Sequence, residues 1–547
     1  MLKKNLLLFT SLIISFILAC IVEHRIFTDY TAISDDVRNQ IYWMARLIDP
    51  SLYPSDFIAS YFTQPPLISP VVKFIYQFVS CWIDPMKFSQ ILPFILVIIS
   101  TFFLFQATSF TRGIRYAFWV SFAFNLYIWT ISGLPGGLPR GFFYPLFFYF
   151  LWIYESKNWK WLPFCFILQS LIYPVAFILS FSFLIFDLLI NKRNSKNNLR
   201  SFQVCLAFFS GIAVLALRYI GSFSHAFGEL VTLKDVIKMP EFYADGRVNI
   251  IPIPHYLLKG KTIKYFITDI FPSAESFIAI IGFSLLVLVI LYIIYKEKKL
   301  NHIKSILFIP KYIWILSIVS ILLYFVSLTF LFYLYMPQRY IQYSLWLVLV
   351  FLGGNVLYQL DCFFKNKRSI SVIMAILALL VASVRWDDDL ILIKEEEKKV
   401  YSFLLGTPKD SLIAAPIKLA DNIPAFSKRS VLASYEANIP FHKGYYKELK
   451  ERILDLDQAY FSKDLRSIKS FIREYGIDYI VIDDKNFKKR GDAILDDIPD
   501  SCIEFKSGRY SVISKEKIDT ISCSYGLVAN DLFADKKQVK SHKKPLN

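Results

Sequence analysis

Pro65-Pro66-Leu67-Ile68-Ser69-Pro70-Val71-Val72-Lys73-Phe74-Ile75-Tyr76-Gln77-Phe78-Val79-Ser80-Cys81-Trp82-Ile83 is the stretch on which the architecture turns. It is apolar enough to resemble a membrane crossing. A crossing helix needs about 20 consecutive apolar residues. Prolines at 65, 66 and 70 interrupt this one, and Lys73 places a charge inside it. The segment is therefore read as a helix lying in the membrane interface.

The surrounding chain sets the class. Of its 547 residues 55% are hydrophobic and only 19% charged, with a mean hydropathy of +0.45. A soluble protein could not hide that much apolar surface, so the chain reads as a polytopic α-helical membrane protein. In a soluble protein the formal net charge of +17 would suggest nucleic acid. Here lysines and arginines cluster in short loops between apolar runs, which is the positive-inside pattern, and nucleic-acid binding is set aside.

Spans are expected at about 5–22, 88–108, 116–132, 141–155, 159–173, 174–190, 201–220, 273–295, 309–334, 339–360 and 369–385, about eleven in all. Lys3 and Lys4 hold the N-terminus in the cytoplasm, and the first run reads as a retained helix rather than a cleaved leader. With 65–83 kept out of the bilayer, the basic loops around Arg112, Lys157, Lys192, Lys296 and Lys365 all fall on one side. A crossing at 65–83 would instead translocate the cluster from Lys192 to Arg200.

The membrane domain then runs over 1–386. It has a first external loop at 23–87, with interfacial helices, and a second large one at 221–272. After Arg385 the composition turns polar. Short apolar runs at Leu412–Ala415, Val431–Ser434, Tyr479–Ile482 and Tyr510–Ile513 read as strands, and 445–475 reads as helical. A small external α/β domain is expected over 387–534, followed by a disordered basic tail at 535–547. Cys502 and Cys523 would pair if that compartment is oxidising; otherwise they are two buried thiols.

Candidate chemistry sits on the external side. Ser34-Asp35-Asp36 opens the first strongly polar segment after the first span. Acids in a first turn behind a serine suit a helix start. A carboxylate at the membrane face would equally suit a general base, or a ligand for a divalent cation. Helical spacing sets Asp36, Gln40 and Trp43 on one side and Asp35, Arg38, Tyr42, Arg46 and Asp49 on the neighbouring one. The segment Asp49–Asp56 reads as a turn with an aspartate cap.

Arg140, Arg218 and Arg339 lie at external helix ends, where topology alone calls for few cations. Each would either snorkel or bind an anionic headgroup, for which the planar guanidinium is suited. Arg339, in the turn Met336-Pro337-Gln338-Arg339-Tyr340, is the foremost candidate. His225, Lys234, Arg247 and His442 are weaker ones. Gly353-Gly354, inside a span, reads as close helix packing.

No Walker A, GxSxG, HExxH or dinucleotide fingerprint is present, and the 7 cysteines show no metal-ligand spacing. Charged residues in mid-span are nearly absent and no internal repeat is evident, which counts against a pump or secondary carrier.

With its cytoplasmic N-terminus, long first external loop, early Asp35-Asp36, many further spans and closing external domain, the chain resembles the GT-C superfamily of integral membrane glycosyltransferases. That superfamily includes protein mannosyltransferases, the lipid A aminoarabinose transferase and the catalytic subunit of oligosaccharyltransferase. Gln338-Arg339-Tyr340 is similar to the family's Arg-Tyr at the lipid-phosphate site, and Leu405-Gly406-Thr407-Pro408-Lys409-Asp410 to the start of many such C-terminal domains. The Trp-Trp-Asp tripeptide of the oligosaccharyltransferase branch is absent, which favours the metal-independent branch.

The resemblance implies inverting transfer of a sugar from a polyprenyl-phosphate carrier to a lipid, glycan or protein acceptor on the extracytoplasmic face. Asp36 or Asp35 would act as base. Arg339, Arg140 and Arg218, with Tyr340 and Gln40, would bind substrate. No cofactor is expected, a divalent cation held by the acids being the unsupported alternative. The partners would be the lipid-linked donor and membrane lipids, and the setting a bacterial inner membrane with the C-terminal domain outside. The rival reading is a lipid or polysaccharide transporter or assembly protein without covalent chemistry.

Overall fold

The computed structural model describes residues 2–64, 67–130, 136–190, 198–220, 227–242, 248, 308–363, 393–485, 495 and 498–521. The spans expected at 273–295 and 369–385, the candidates His225 and Arg247, most of the loop 221–272, Cys523 and the tail 535–547 lie outside these residues.

The chain is a helical membrane protein. Among the described residues 5 helical segments are long and apolar enough to cross a bilayer: Leu2–Val22, Pro85–Arg112, Ser201–Tyr219, Lys311–Leu334 and Gln338–Cys362. The other spans expected in the described part are shorter helices. Ile114–Tyr127, Phe143–Ser156, Leu162–Ile172 and Pro174–Ile190 have 14, 14, 11 and 17 residues. At 1.5 Å per residue they rise about 16 to 26 Å against a hydrocarbon core of about 30 Å. The expected eleven crossings are therefore not reached among the described residues on length alone. Punctuation is the cause: Pro174 forces Tyr173 into extended backbone, and Gly113, at φ 85°, ends Pro85–Arg112.

At 65–83 the structure holds a helix of only 10 residues, Pro70–Val79, capped by Ser69, whose Oγ accepts from Val72 N. It rises about 15 Å, half of what a crossing needs. Its inward positions recur at helical spacing: Val72 and Tyr76 are 2% and 0% exposed. Phe74, Phe78 and Trp82 are 66%, 59% and 70% exposed, a row of large apolar side chains suited to the lipid interface.

The chain divides into two units. The first comprises Met1–Val37, Phe62–Ile391 and Ile439–Gly444; the second comprises Arg38–Tyr61, Leu392–Asn438 and Tyr445–Asn547. The composition change after Arg385 lies close to the main boundary. Two exchanges depart from the expected 1–386 and 387–534 division. Arg38–Tyr61 joins the second unit because Tyr42 Oη donates to buried Asp56 at 2.9 Å, Tyr53 Oη to the Pro424 carbonyl at 2.7 Å, and Arg38 to Asn422. Ile439–Gly444 joins the first because Val231 N donates to Phe441 O, and Lys443 N to Glu229 O, each at 2.9 Å.

In the first unit Pro85–Arg112 packs against Ile114–Tyr127 and Phe143–Ser156, and Trp346–Phe363 against Ile114–Tyr127. A Cβ at Gly354 would lie 2.5 Å from Val120 Cα, so the last contact needs the glycine.

The second unit carries a sheet in the order β2-β1-β3-β5-β4, with β1 Leu412–Ala414, β2 Ser430–Val431, β3 Tyr479–Asp483, β4 Phe505–Ser507 and β5 Tyr510–Ser514. β1 runs parallel to β2 and β3, and β5 antiparallel to β3 and β4. Three of the expected strands are present, the fourth is reduced to β2, which shares only Val431 with the expected run Val431–Ser434, and β4 is an addition. The expected helical stretch is two helices, Lys443–Tyr460 and Leu465–Tyr475. Their apolar faces give Leu456, Ile468 and Ile472 to a core shared with Ile480, Ile482 and Ile513. The α/β reading thus holds for this segment.

Candidate functional site

In the first unit two of the sequence candidates, Asp36 and Arg140, meet, and Arg140 lies within the field of a third, Arg339. Asp36 stands in the first turn of the helix Asp35–Ile41. Arg140 stands in the short 3-10 turn Pro139–Phe142 that leads into Phe143–Ser156. An Arg140 Nη1 lies 2.5 Å from Asp36 Oδ2. The arginine side chain is 11% exposed and the aspartate 35%, so the pair is open on its acidic side. Burial alone pulls the Arg140 pKa down. The Asp36 charge and the Tyr343 and Tyr335 hydroxyls outweigh that and raise it above the ordinary arginine range.

Arg339 opens the helix Gln338–Gln342. Its Nη1 donates to Gln342 Oε1 at 3.0 Å and to Tyr343 Oη at 2.8 Å, both one helical turn on. Its Nε–H is buried and finds no acceptor among the described residues. The Tyr335 hydroxyl lies in the combined field of Arg339, Arg140 and Asp36. Tyr335 has φ 65° and ψ −163°, a region that is essentially the preserve of glycine. Its ring makes an edge contact with Tyr173, whose ring also approaches Tyr343.

An apolar cavity of about 330 Å³ continues from this point. Val175, Ile178, Ile212, Leu215 and Tyr219 form part of its wall, and so does Tyr335. One side chain thus belongs both to an apolar cavity and to a cluster of two guanidinium groups and one carboxylate. Counted over Asp36, Arg140 and Arg339, that cluster has one positive charge in excess, which favours an anionic group there.

The other sequence candidates have different surroundings. Arg218 Nη1 donates to the Ser170 and Leu171 carbonyls at 3.1 Å each, and its Nη2 to the Ile68 carbonyl at 3.0 Å. Those bonds tie the start of the interfacial helix to the end of Leu162–Ile172, a structural duty. Tyr340 is fully buried and its hydroxyl donates to the Leu334 carbonyl at 2.7 Å, closing its own turn. Asp35 Oδ1 accepts from Asp36 N at 2.6 Å, which is helix-start work. Gln40 belongs to the second unit, where its carbonyl accepts from Trp43 Nε1 at 2.8 Å.

His442 forms an isolated bridge with Leu230, and burial lowers its pKa. Lys234 is exposed on the four-residue helix Leu233–Val236. Asp56 accepts from Ala59 N at 2.7 Å, in line with the aspartate-cap reading of its turn. Among the described residues no group of three or more His, Cys, Asp or Glu side chains forms a metal-ligand set.

Sequence reading missed Tyr335, Gln342 and Tyr343. Two of them were within reach: positions three and four after Arg339 share its helix face. Tyr335 carried no such signal, because its backbone conformation emerges only in the fold.

No family model matches the chain, and no curated protein matches it in sequence. Among solved structures it is similar to the Archaeoglobus fulgidus oligosaccharyltransferase in the apo form, with 10% identity and a TM-score of 0.48 over 87% of this chain and 70% of that one. It is also similar to the oligosaccharyltransferase AglB of the same archaeon in complex with an inhibitory peptide and a dolichol-phosphate, with 11% identity and a TM-score of 0.46 over 87% and 69%. A third is the same organism's enzyme in complex with Zn and sulfate, with 12% identity and a TM-score of 0.45 over 87% and 68%. At these scores the likeness is too loose to carry a residue role across.

Proposed function

We propose that the chain is a membrane glycosyltransferase of the GT-C kind. It moves a sugar from a polyprenyl-phosphate carrier to an acceptor hydroxyl on the extracytoplasmic face, in a bacterial inner membrane. The observation that carries this reading is Tyr335, where the Asp36–Arg140–Arg339 cluster meets an apolar cavity. A lipid phosphate has that division: an anionic head for the guanidinium groups and a hydrocarbon tail for the apolar wall.

The chemistry follows from the groups present. The donor's phosphate seats against Arg339, whose Nε–H still lacks an acceptor among the described residues. Arriving there, it competes with Asp36 for Arg140. The carboxylate so released takes the proton of the acceptor hydroxyl as the oxygen attacks the anomeric carbon. The bond from that carbon to the phosphate oxygen breaks, polyprenyl phosphate leaves with the electron pair, and the two arginines hold the growing negative charge. Attack from the face opposite the leaving group inverts the configuration. No step calls on a metal ion, so transfer is expected to continue in EDTA.

The donor half of this account is tested by binding. Native mass spectrometry of the chain in nanodiscs should show undecaprenyl phosphate bound and undecaprenol not. Arg339→Met should weaken binding about ten- to 150-fold, matching the loss of a charge-assisted hydrogen bond of about 1.5–3 kcal/mol. Equal binding of phosphate and alcohol, or an unaffected Arg339→Met, overturns the assignment.

A further inference from the structure

The second unit holds a cavity of about 580 Å³ that the transfer chemistry above does not use. Its volume falls in the range of small-molecule sites. It opens where such sites form in α/β sheets, at the carboxyl ends of parallel strands. β1 ends at Ala414 and the chain runs on through Ile417 and Lys418 in the cavity wall; β3 ends at Asp483, which also lines it.

The lining has two faces. One is apolar, with Ile417, Leu456 and Phe461. The other is a linked polar row. Arg509 Nε lies 3.1 Å from Asp483 Oδ1, Arg509 Nη2 donates to Tyr510 Oη at 2.6 Å, and Tyr510 donates to Glu397 Oε1 at 3.0 Å. Asp483 is buried, so this row is fixed rather than a swinging surface pair. Each carboxylate has about four lone-pair sites, so both can still accept hydrogen bonds after these contacts. Exposed Lys418 and Asp457 stand at the rim.

Charge narrows the ligand class. Glu397, Asp457 and Asp483 against Lys418 and Arg509 leave one negative charge in excess, which disfavours a phosphate, a nucleotide or another anion. A ligand that packs carbon on one side and offers many hydroxyls to planar polar groups on the other meets both faces. We propose that this cavity is a saccharide-binding site, with room for one or two sugar rings. C–H faces lie on Phe461 and Ile417, and hydroxyls donate to Asp483 and Glu397 and accept from Arg509. Its role toward an acceptor glycan, as distinct from saccharide binding itself, rests on the transfer reading above.

The test is saturation-transfer NMR on the full chain in sugar-free lipid nanodiscs, with the methyl glycosides of glucose, galactose, mannose and N-acetylglucosamine at roughly millimolar concentration. At least one glycoside should receive saturation on its ring protons. Ile417→Trp, which fills the cavity, should cut its affinity about tenfold or more, and Phe461→Ala should cut it severalfold. Both variants should still melt in one cooperative transition, Phe461→Ala at a somewhat lower temperature because its ring packs on the core. No saturation of any glycoside overturns the site. So does binding that neither cavity variant changes, or a cavity that takes inorganic phosphate or a trilysine peptide in their place. Binding is read without transfer: a chain that binds saccharide through these residues but transfers no sugar refutes the transfer reading and leaves the site standing.

Discussion

Arg339 has more donors than its described neighbours satisfy. The side chain spends an Nη1 on Gln342 and Tyr343 while its Nε–H is buried without an acceptor among the described residues. An unpaired buried donor costs about 1–3 kcal/mol, a cost that a phosphate oxygen would remove. Arg339→Lys keeps the charge but loses the planar fork, so it should bind lipid phosphate more tightly than Arg339→Met and less tightly than wild type. Tyr335 gives a second check. Its backbone conformation costs about 1–3 kcal/mol in a non-glycine residue. Tyr335→Gly should therefore raise the melting temperature while weakening undecaprenyl phosphate binding; a lower melting temperature would contradict stored strain. The sequence made Asp36, Arg140 and Arg339 legible because charges are rare in this chain. It did not show that Arg218 bonds the Ser170, Leu171 and Ile68 carbonyls, since those partners are brought to it only by the fold. The tyrosines were lost among 33 of their kind.

Among the elements, the 65–83 segment was legible because proline and length act locally. Three prolines cap the possible helix, and the structure shows 10 residues of it. If the segment does not cross, single-cysteine variants Tyr30→Cys and Trp82→Cys, both at exposed positions, should react with a membrane-impermeant thiol reagent from the same side. Reaction from opposite sides would contradict it. The helix after Ser34 was only half legible. It stays α-helical for 7 residues and then tightens into the 3-10 turn Tyr42–Leu47, so the expected helical face through Arg46 and Asp49 does not persist. That switch depends on Arg46 bonding the Leu52 and Tyr53 carbonyls, a tertiary event that periodicity does not reveal. β4, three residues with a lysine at its centre, exists because β5 offers it an edge. The Gly353-Gly354 reading has a direct check: Gly354→Ala drives a methyl into Val120 and should destabilise the first unit by about 1–3 kcal/mol, read as a lower melting temperature.

For the whole molecule, the two units make separate claims. Stability of the second should carry a pH signature from Asp56. Burial raises its pKa, outweighing the Ala59 amide, the Tyr42 hydroxyl and Arg46. The folded state then holds a proton more firmly than the unfolded state does. Unfolding free energy falls as pH rises from the unfolded aspartate value, about 3.9, through the raised folded value. Asn keeps the acceptor that Tyr42 and Ala59 use and abolishes the titration. The melting temperature of Asp56→Asn should thus gain on the wild type as pH rises through that window; a constant difference would refute the buried-acid account. The central claim belongs to the first unit, where Asp36 is assigned the acceptor's proton. Its most direct test is sugar transfer in proteoliposomes from a panel of polyprenyl-phosphate sugars, comparing wild type with Asp36→Asn at saturating donor. The account predicts a fall in kcat of about 10²- to 10⁴-fold, the usual worth of a general base, with lipid phosphate still bound. Full activity in Asp36→Asn with the donor that the wild type uses would contradict it.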